Sequence, residues 1–124
     1  MIRQYSSISV ETTLASGINA STESMTVASG SGSALLGGVT LAAGNVDQFT
    51  VALDPDTTNE EIVFITAQTS DTFTIVRGQA GTSAVTHAAG AIVRHVLTSA
   101  DLNWFNNMIQ SDDVVTATPT ILGG

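Results

Sequence analysis

Three runs rich in Val, Ile, Phe and Thr constrain this chain most: Gln48 to Leu53, Glu60 to Ala67 and Thr72 to Arg77. The segment joining the first two, Asp54-Pro55-Asp56-Thr57-Thr58-Asn59, is turn chemistry. Proline presets one central torsion, and Asp and Asn side chains bond nearby backbone. Gln68-Thr69-Ser70-Asp71 makes the second turn. Strands this close in sequence need only antiparallel pairing, so the three form a meander. In the third, Phe73 and Ile75 alternate with Thr72 and Thr74, as in a strand with one buried face.

From Arg77 the chain enters an excursion carrying Gly78, Gly81, His87 and Gly90, and returns as a strand over 91–97. Thr98 and Asp101 then have the spacing of a capping box. Leu102, Phe105, Met108 and Ile109 recur at helical spacing, with Trp104 beside them. This predicts one amphipathic helix over about 100–110. Upstream, Thr12 to Ala15 and Ser24 to Ala28 alternate polar and apolar residues as two half-buried strands.

Residues 1–11 read as a short strand or an arm, and 12–110 as a single β-rich unit ending in the helix. Residues 111–124 read as an extended tail, β-prone but too short for its own core. From Ser29 to Gly44 the sequence is Gly, Ser and Ala around Leu35 and Leu36. Freezing glycine backbone is costly, so this stretch is either a linker or a loop ordered by those leucines.

At 124 residues, one domain is the expectation. Apolar residues are 43% of the chain but aromatics only 5%, which favours many short strands with small, hydroxylated outer faces. The expected fold is mainly β: a small antiparallel sandwich or barrel-like domain with one short helix and extended terminal arms.

Eleven acids stand against Arg3, Arg77 and Arg94, for a formal charge of −8. Three dispersed cations cannot track a phosphate backbone or an anionic bilayer, so neither nucleic acid nor membrane is expected as a partner. The absence of cysteine removes disulfides, thiolate metal sites and a Cys nucleophile together. No apolar run approaches the roughly 20 residues of a membrane span, and synthesis in the cytoplasm of the expressing cell is expected.

Candidate chemistry is sparse. Asp54, Asp56, Thr58 and Glu60 alternate as oxygen ligands do in calcium loops. Asn59 and Ile65, however, stand where such a loop needs Gly and Glu, and a polar hairpin turn accounts for the pattern. His87 and His95 are the only imidazoles and lack acidic neighbours at ligand spacing, so hydrogen bonding that fixes local geometry is expected of them. Gly78-Gln79-Ala80-Gly81 resembles a phosphate clamp, but no helix pattern or lysine follows. Its glycines are expected to supply positive φ in a tight turn. No nucleophile elbow is present. No catalytic, cofactor or metal residue is therefore assigned. Arg77, beside this turn, is expected to pair with a carboxylate, Glu60 or Glu61, or to bond loop carbonyls.

Taken in order, Phe49 to Asp54, Glu60-Glu61-Ile62-Val63, Phe73 to Gly78, Gly81-Thr82, His87-Ala88-Ala89-Gly90-Ala91 and Val93 resemble a known module. It occurs at the start of many tail-fibre, minor-tail and head-associated proteins of tailed bacteriophages. The opening Thr12-Thr13-Leu14 with Ala20-Ser21-Thr22 and Thr26-Val27 is similar to that module's first hairpin, and the likeness covers about residues 12–110. It implies a non-enzymatic virion module without cofactor, assembled with threefold or higher symmetry beside major capsid or tail proteins.

Fibre proteins continue for hundreds of residues, whereas this sequence stops at Gly124. The expectation is therefore a capsid decoration or cement protein. A tail or fibre-base adaptor is the alternative, and a host-surface carbohydrate-binding module a weaker one. A homo-oligomer, a trimer, is expected, its interface drawn from Leu35, Leu36, Trp104, Phe105, Val114, Val115, Ile121 and Leu122, which one small domain would struggle to bury alone.

Overall fold

The structure, a computed structural model, describes residues 2–41, 47–99, 101–104 and 106–107. Seven strands form one curled sheet: β1 (Ile2–Gln4), β2 (Thr12–Thr13), β3 (Ser24–Thr26), β4 (Asp47–Leu53), β5 (Glu61–Thr69), β6 (Thr72–Gln79) and β7 (Ile92–His95). Two short helices accompany them, α1 (Gly32–Leu36) and α2, in which residues 99, 101–104 and 106–107 are helical. The strands run in the order β2-β7-β4-β5-β6-β3, with β1 beside β4. The two ends of that path meet at a bridge between Leu14 and Val27. Main-chain bonds of 2.8 Å from Ala15 to Thr26 and 2.9 Å from Ala28 to Thr13 flank it. The sheet thus closes on itself there, the barrel-like form of the expected mainly-β domain.

The β4-β5-β6 meander pairs antiparallel, with register shifts between Ile62 and Phe64 and between Ile65 and Ala67. Such irregularities sharpen local twist, which a small sheet needs in order to curl. Phe73 and Ile75 of β6 point inward while Thr72 and Thr74 face out. They join Met25, Val27, Phe49, Val51, Leu53, Val63, Ile65 and Val93 in the core. β4 is buried along nearly its whole length because both of its faces are covered. Phe49, Val51 and Leu53 belong to the core. Thr50 pairs across to Phe64 and bonds Asp101 of α2 at 3.1 Å.

One local feature departs from expectation, and another is settled between its two readings. The Gly/Ser/Ala stretch contains α1, which buries Leu35 and Leu36 at 0% and 1% exposure in the core of their own subunit. These leucines leave no surface for a partner: a five-residue helix ending at Gly37, φ 55°, turns both inward. The chain's start forms a strand at Ile2–Gln4, parallel to β4, in register with Asp47 to Phe49. Phe105, Val114, Val115, Ile121 and Leu122 lie outside the described residues, while Trp104 is half-buried.

The capping box forms as its spacing predicts. Asp101 N donates to Thr98 Oγ1 at 3.1 Å, and Asp101 Oδ2 accepts from the Thr98 N–H at 3.0 Å and its hydroxyl at 2.9 Å. Arg3 Nη1 adds a 2.6 Å ion pair to Asp101 Oδ1, and the guanidinium carbon Cζ lies 5.0 and 5.9 Å from the ring centroids of Phe64 and Trp104. Burial pushes the Asp101 carboxyl up, but the bonds from Thr98, Arg3 and Thr50 outweigh it and hold it below the usual carboxylate range.

Candidate functional site: a buried ionic hub under the glycine turn

Glu61 opens β5 with no exposed surface, and an unpaired carboxylate there would be strongly unfavourable. It is instead among the most completely bonded groups in the molecule. Arg77, sixteen residues on, reaches back across the β5-β6 hairpin with Nε at 2.8 Å from Oε2 and Nη2 at 2.8 Å from Oε1. This is the two-pronged geometry that guanidinium and carboxylate share. The Gly78 N–H donates to Oε2 at 2.8 Å and the Val85 N–H to Oε1 at 3.1 Å, and His87 Nε2 lies 2.9 Å from Oε1.

Burial is the largest single influence on Glu61 and pushes its carboxyl up. The donors from Arg77, His87, Gly78 and Val85 together overcome it and hold the group at about 2.

Arg77 is equally saturated. Beyond Glu61, its Nη1 donates to the carbonyls of Asn19 at 2.6 Å and Thr22 at 2.8 Å, and Nη2 to that of Val85 at 2.6 Å. All five guanidinium N–H groups are thereby used. The Asn19 and Thr22 carbonyls converge because the Asn19 side chain folds its own turn, accepting from the Ser21 N–H and the Thr22 hydroxyl, both at 2.9 Å. His87 is fully buried, with Nδ1 2.7 Å from Asp54 Oδ2. Its backbone exchanges two 2.9 Å bonds with Ile18.

The glycines make this approach feasible. Gly78, Gly81 and Gly90 adopt φ of 59°, 82° and 90°, and a Cβ at Gly78 would stand 3.2 Å from Ala84 N. The turn thus folds the excursion back until Val85 and His87 reach Glu61. The hub joins five segments: the 19–22 turn, the Asp54 hairpin, the start of β5, the end of β6 and the excursion.

Of the residues set apart in the sequence as a structural turn, Arg77, Gly78 and His87 bond within the hub, Gly81 lies in the turn between them, and Gly90 bonds the Leu14 carbonyl at 2.8 Å; of the two carboxylates offered to Arg77 it takes Glu61. Asp54 leaves the alternating acidic pattern to bind His87, and Asp56 lies 3.4 Å from Arg94. Among the described residues no group of three or more His, Asp or Glu side chains is arranged to hold a metal. The sequence marks Asn19 and Thr22 only by the Asn-x-x-Thr spacing of a side-chain-stabilised turn.

Away from the hub, a cleft of about 420 Å³ is lined by Tyr5, Ser6, Ser7, Leu97, Asp101 and Leu102. Tyr5, Leu97 and Leu102 rank among the exposed large hydrophobics. No protein-family model matches the chain, and no curated protein matches it either.

Proposed function

We propose that the chain is a non-enzymatic structural module of a tailed-phage particle, working as a symmetric homo-oligomer, a trimer, attached to the capsid shell. The observation that carries this reading is the saturation of the hub. The residues on which the phage-module resemblance rests, Glu61, Arg77, Gly78 and His87, bond to one another and to backbone rather than to open space. A catalytic constellation keeps a polar group aimed at a substrate position. Here the five guanidinium donors and both Glu61 oxygens are consumed in joining chain segments, the arrangement of a group that holds a fold together. The apolar surface at Tyr5, Leu97 and Leu102 supports association, because contiguous exposed apolar area marks contact surfaces.

Cryo-electron microscopy of particles carrying a labelled copy tests the proposal. Density for the barrel over the shell supports it, density on the tail replaces decoration with an adaptor role, and absence from the particle overturns it. Sedimentation of the full chain and of a form ending at Gln110 reads the assembly state, and a monomer in both would refute the oligomer.

A further inference from the structure

The amino-terminal arm is held against the barrel by an imidazole whose hydrogen bonds work in one protonation state only. His95 ends β7, opposite Val51 of β4, and stacks on Phe49 with ring centroids 4.0 Å apart and planes at 15°. Its Nδ1 lies 2.7 Å from the Thr50 carbonyl oxygen. A carbonyl only accepts, so Nδ1 carries hydrogen. Its Nε2 lies 3.3 Å from the Ser6 backbone nitrogen, which donates. Nε2 must therefore present its lone pair. The neutral Nδ1–H tautomer satisfies both partners, whereas imidazolium would set one N–H against another.

We infer that His95 is an acid-operated latch on the amino-terminal arm: protonation at Nε2 expels the Ser6 amide and loosens residues 5–10 around it, while the Arg3–Asp101 pair keeps β1 beside β4. Besides the Ser6 amide, the arm is held by the 2.6 Å ion pair from Arg3 to Asp101 and by the Ser9 hydroxyl, which donates to the Leu35 carbonyl. β1 contributes three residues of pairing, and Gln4 Nε2 reaches Asp47 at 3.1 Å. The Ser6 hydroxyl donates to the Gly37 carbonyl at 2.8 Å, and the Val10 N–H to that of Ala34 at 2.9 Å. Ile8 and Val10 within it are 72% and 56% exposed, so little burial opposes its release.

The surroundings favour a response in the mildly acidic range. Burial disfavours the charged ring and lowers its pKa from the ordinary 6.5, while the Thr50 carbonyl and the Asp101 charge oppose this. Asp101 is itself paired to Arg3 and stays ionised below the usual carboxylate range. Tyr5, raised by burial, remains neutral. α1 brings no titratable group. Arg94 projects to the opposite side of β7 by strand alternation and pairs with Glu11 and Asp56. The sign follows: docking lowers the ring's pKa, so the latch is full above the ordinary His range and is lost as pH falls. The opening constant rises by up to about tenfold for each unit of that lowering.

Imidazole nitrogen NMR shifts and amide hydrogen exchange on the full chain, compared at about pH 7.5 and about pH 5, test the latch. Expected are the Nδ1–H tautomer of His95 at the higher pH and, after correction for intrinsic exchange, a selective loss of protection over residues 5–10 of the arm at the lower, with β5 and β6 unchanged. His95→Phe, which keeps the stack on Phe49, should leave the arm poorly protected at both pH values. An Nε2–H tautomer, arm protection that tracks the barrel at both pH values, or an equal acid-induced loss in His95→Phe would each overturn the inference. If the variant does not fold, the wild-type tautomer and exchange profile decide alone.

Discussion

Arg77 and Glu61 meet through two 2.8 Å bonds from Nε and Nη2 to the two carboxylate oxygens, with 7% and 0% of their side chains exposed. They close the β5-β6 hairpin on itself and, through the remaining guanidinium donors, fasten the 19–22 turn and the 82–87 excursion to it. Because the pair is out of water, removing one partner strands the other.

Arg77→Ala should therefore destabilise the fold by about 3–5 kcal/mol, the cost of leaving a buried charge unpaired. Arg77→Lys should recover only part of this, since an ammonium cannot supply five donors in a planar fork. Urea unfolding midpoints of the three proteins measure it, and equal stability of wild type and Arg77→Ala would refute the structural role of the pair.

Acid should act on the barrel through Glu61. Its folded value of about 2 lies below the ordinary 4.5, so the native state prefers the ionised carboxylate. That contribution is complete above about pH 4.5 and is lost as pH falls towards 2. Unfolding free energy measured across this range should decline in wild type and decline less steeply in Glu61→Gln, which has no carboxyl to titrate there.

Gly37→Ala should detach the arm without dissolving the hub. A Cβ at this position would stand 2.1 Å from Ser6 Oγ and 2.8 Å from Ser9 N, and its φ of +55° already disfavours any other residue. Hydrogen exchange should show lost protection over residues 2–10, with β5 and β6 retained. Gly38→Ala, with nothing within 4 Å of its Cβ but a φ of +92°, is the control for backbone strain alone.

Thr98→Ala should cost about 1 kcal/mol, the usual worth of an N-cap. It removes the acceptor for the Asp101 N–H and one donor to the Asp101 carboxylate. Thermal unfolding followed by circular dichroism checks this, and an unchanged midpoint would remove the capping box from the forces that seat α2.

The local elements were legible in the sequence because they rest on local physics. Alternation at Phe73 and Ile75, turn chemistry from Asp54 to Asn59 and the Thr98/Asp101 spacing each follow from nearest-neighbour geometry. Positive φ at Gly78, Gly81 and Gly90 follows from the missing Cβ. Three cations in the whole chain made it foreseeable that Arg77 would seek a carboxylate or loop carbonyls. Tertiary structure alone decided which ones. Glu61 rather than Glu60 faces inward because strand register assigns alternate residues to opposite sides, and the Asn19 and Thr22 carbonyls arrive from more than fifty residues away. Leu35 and Leu36 turn into their own core because a five-residue helix, too short to announce itself by periodicity, orients them. β1 lies beside β4, and Arg3 beside Asp101, because the closing barrel brings the start of the chain to the end of its last strand. No local pattern encodes a contact spanning 98 residues.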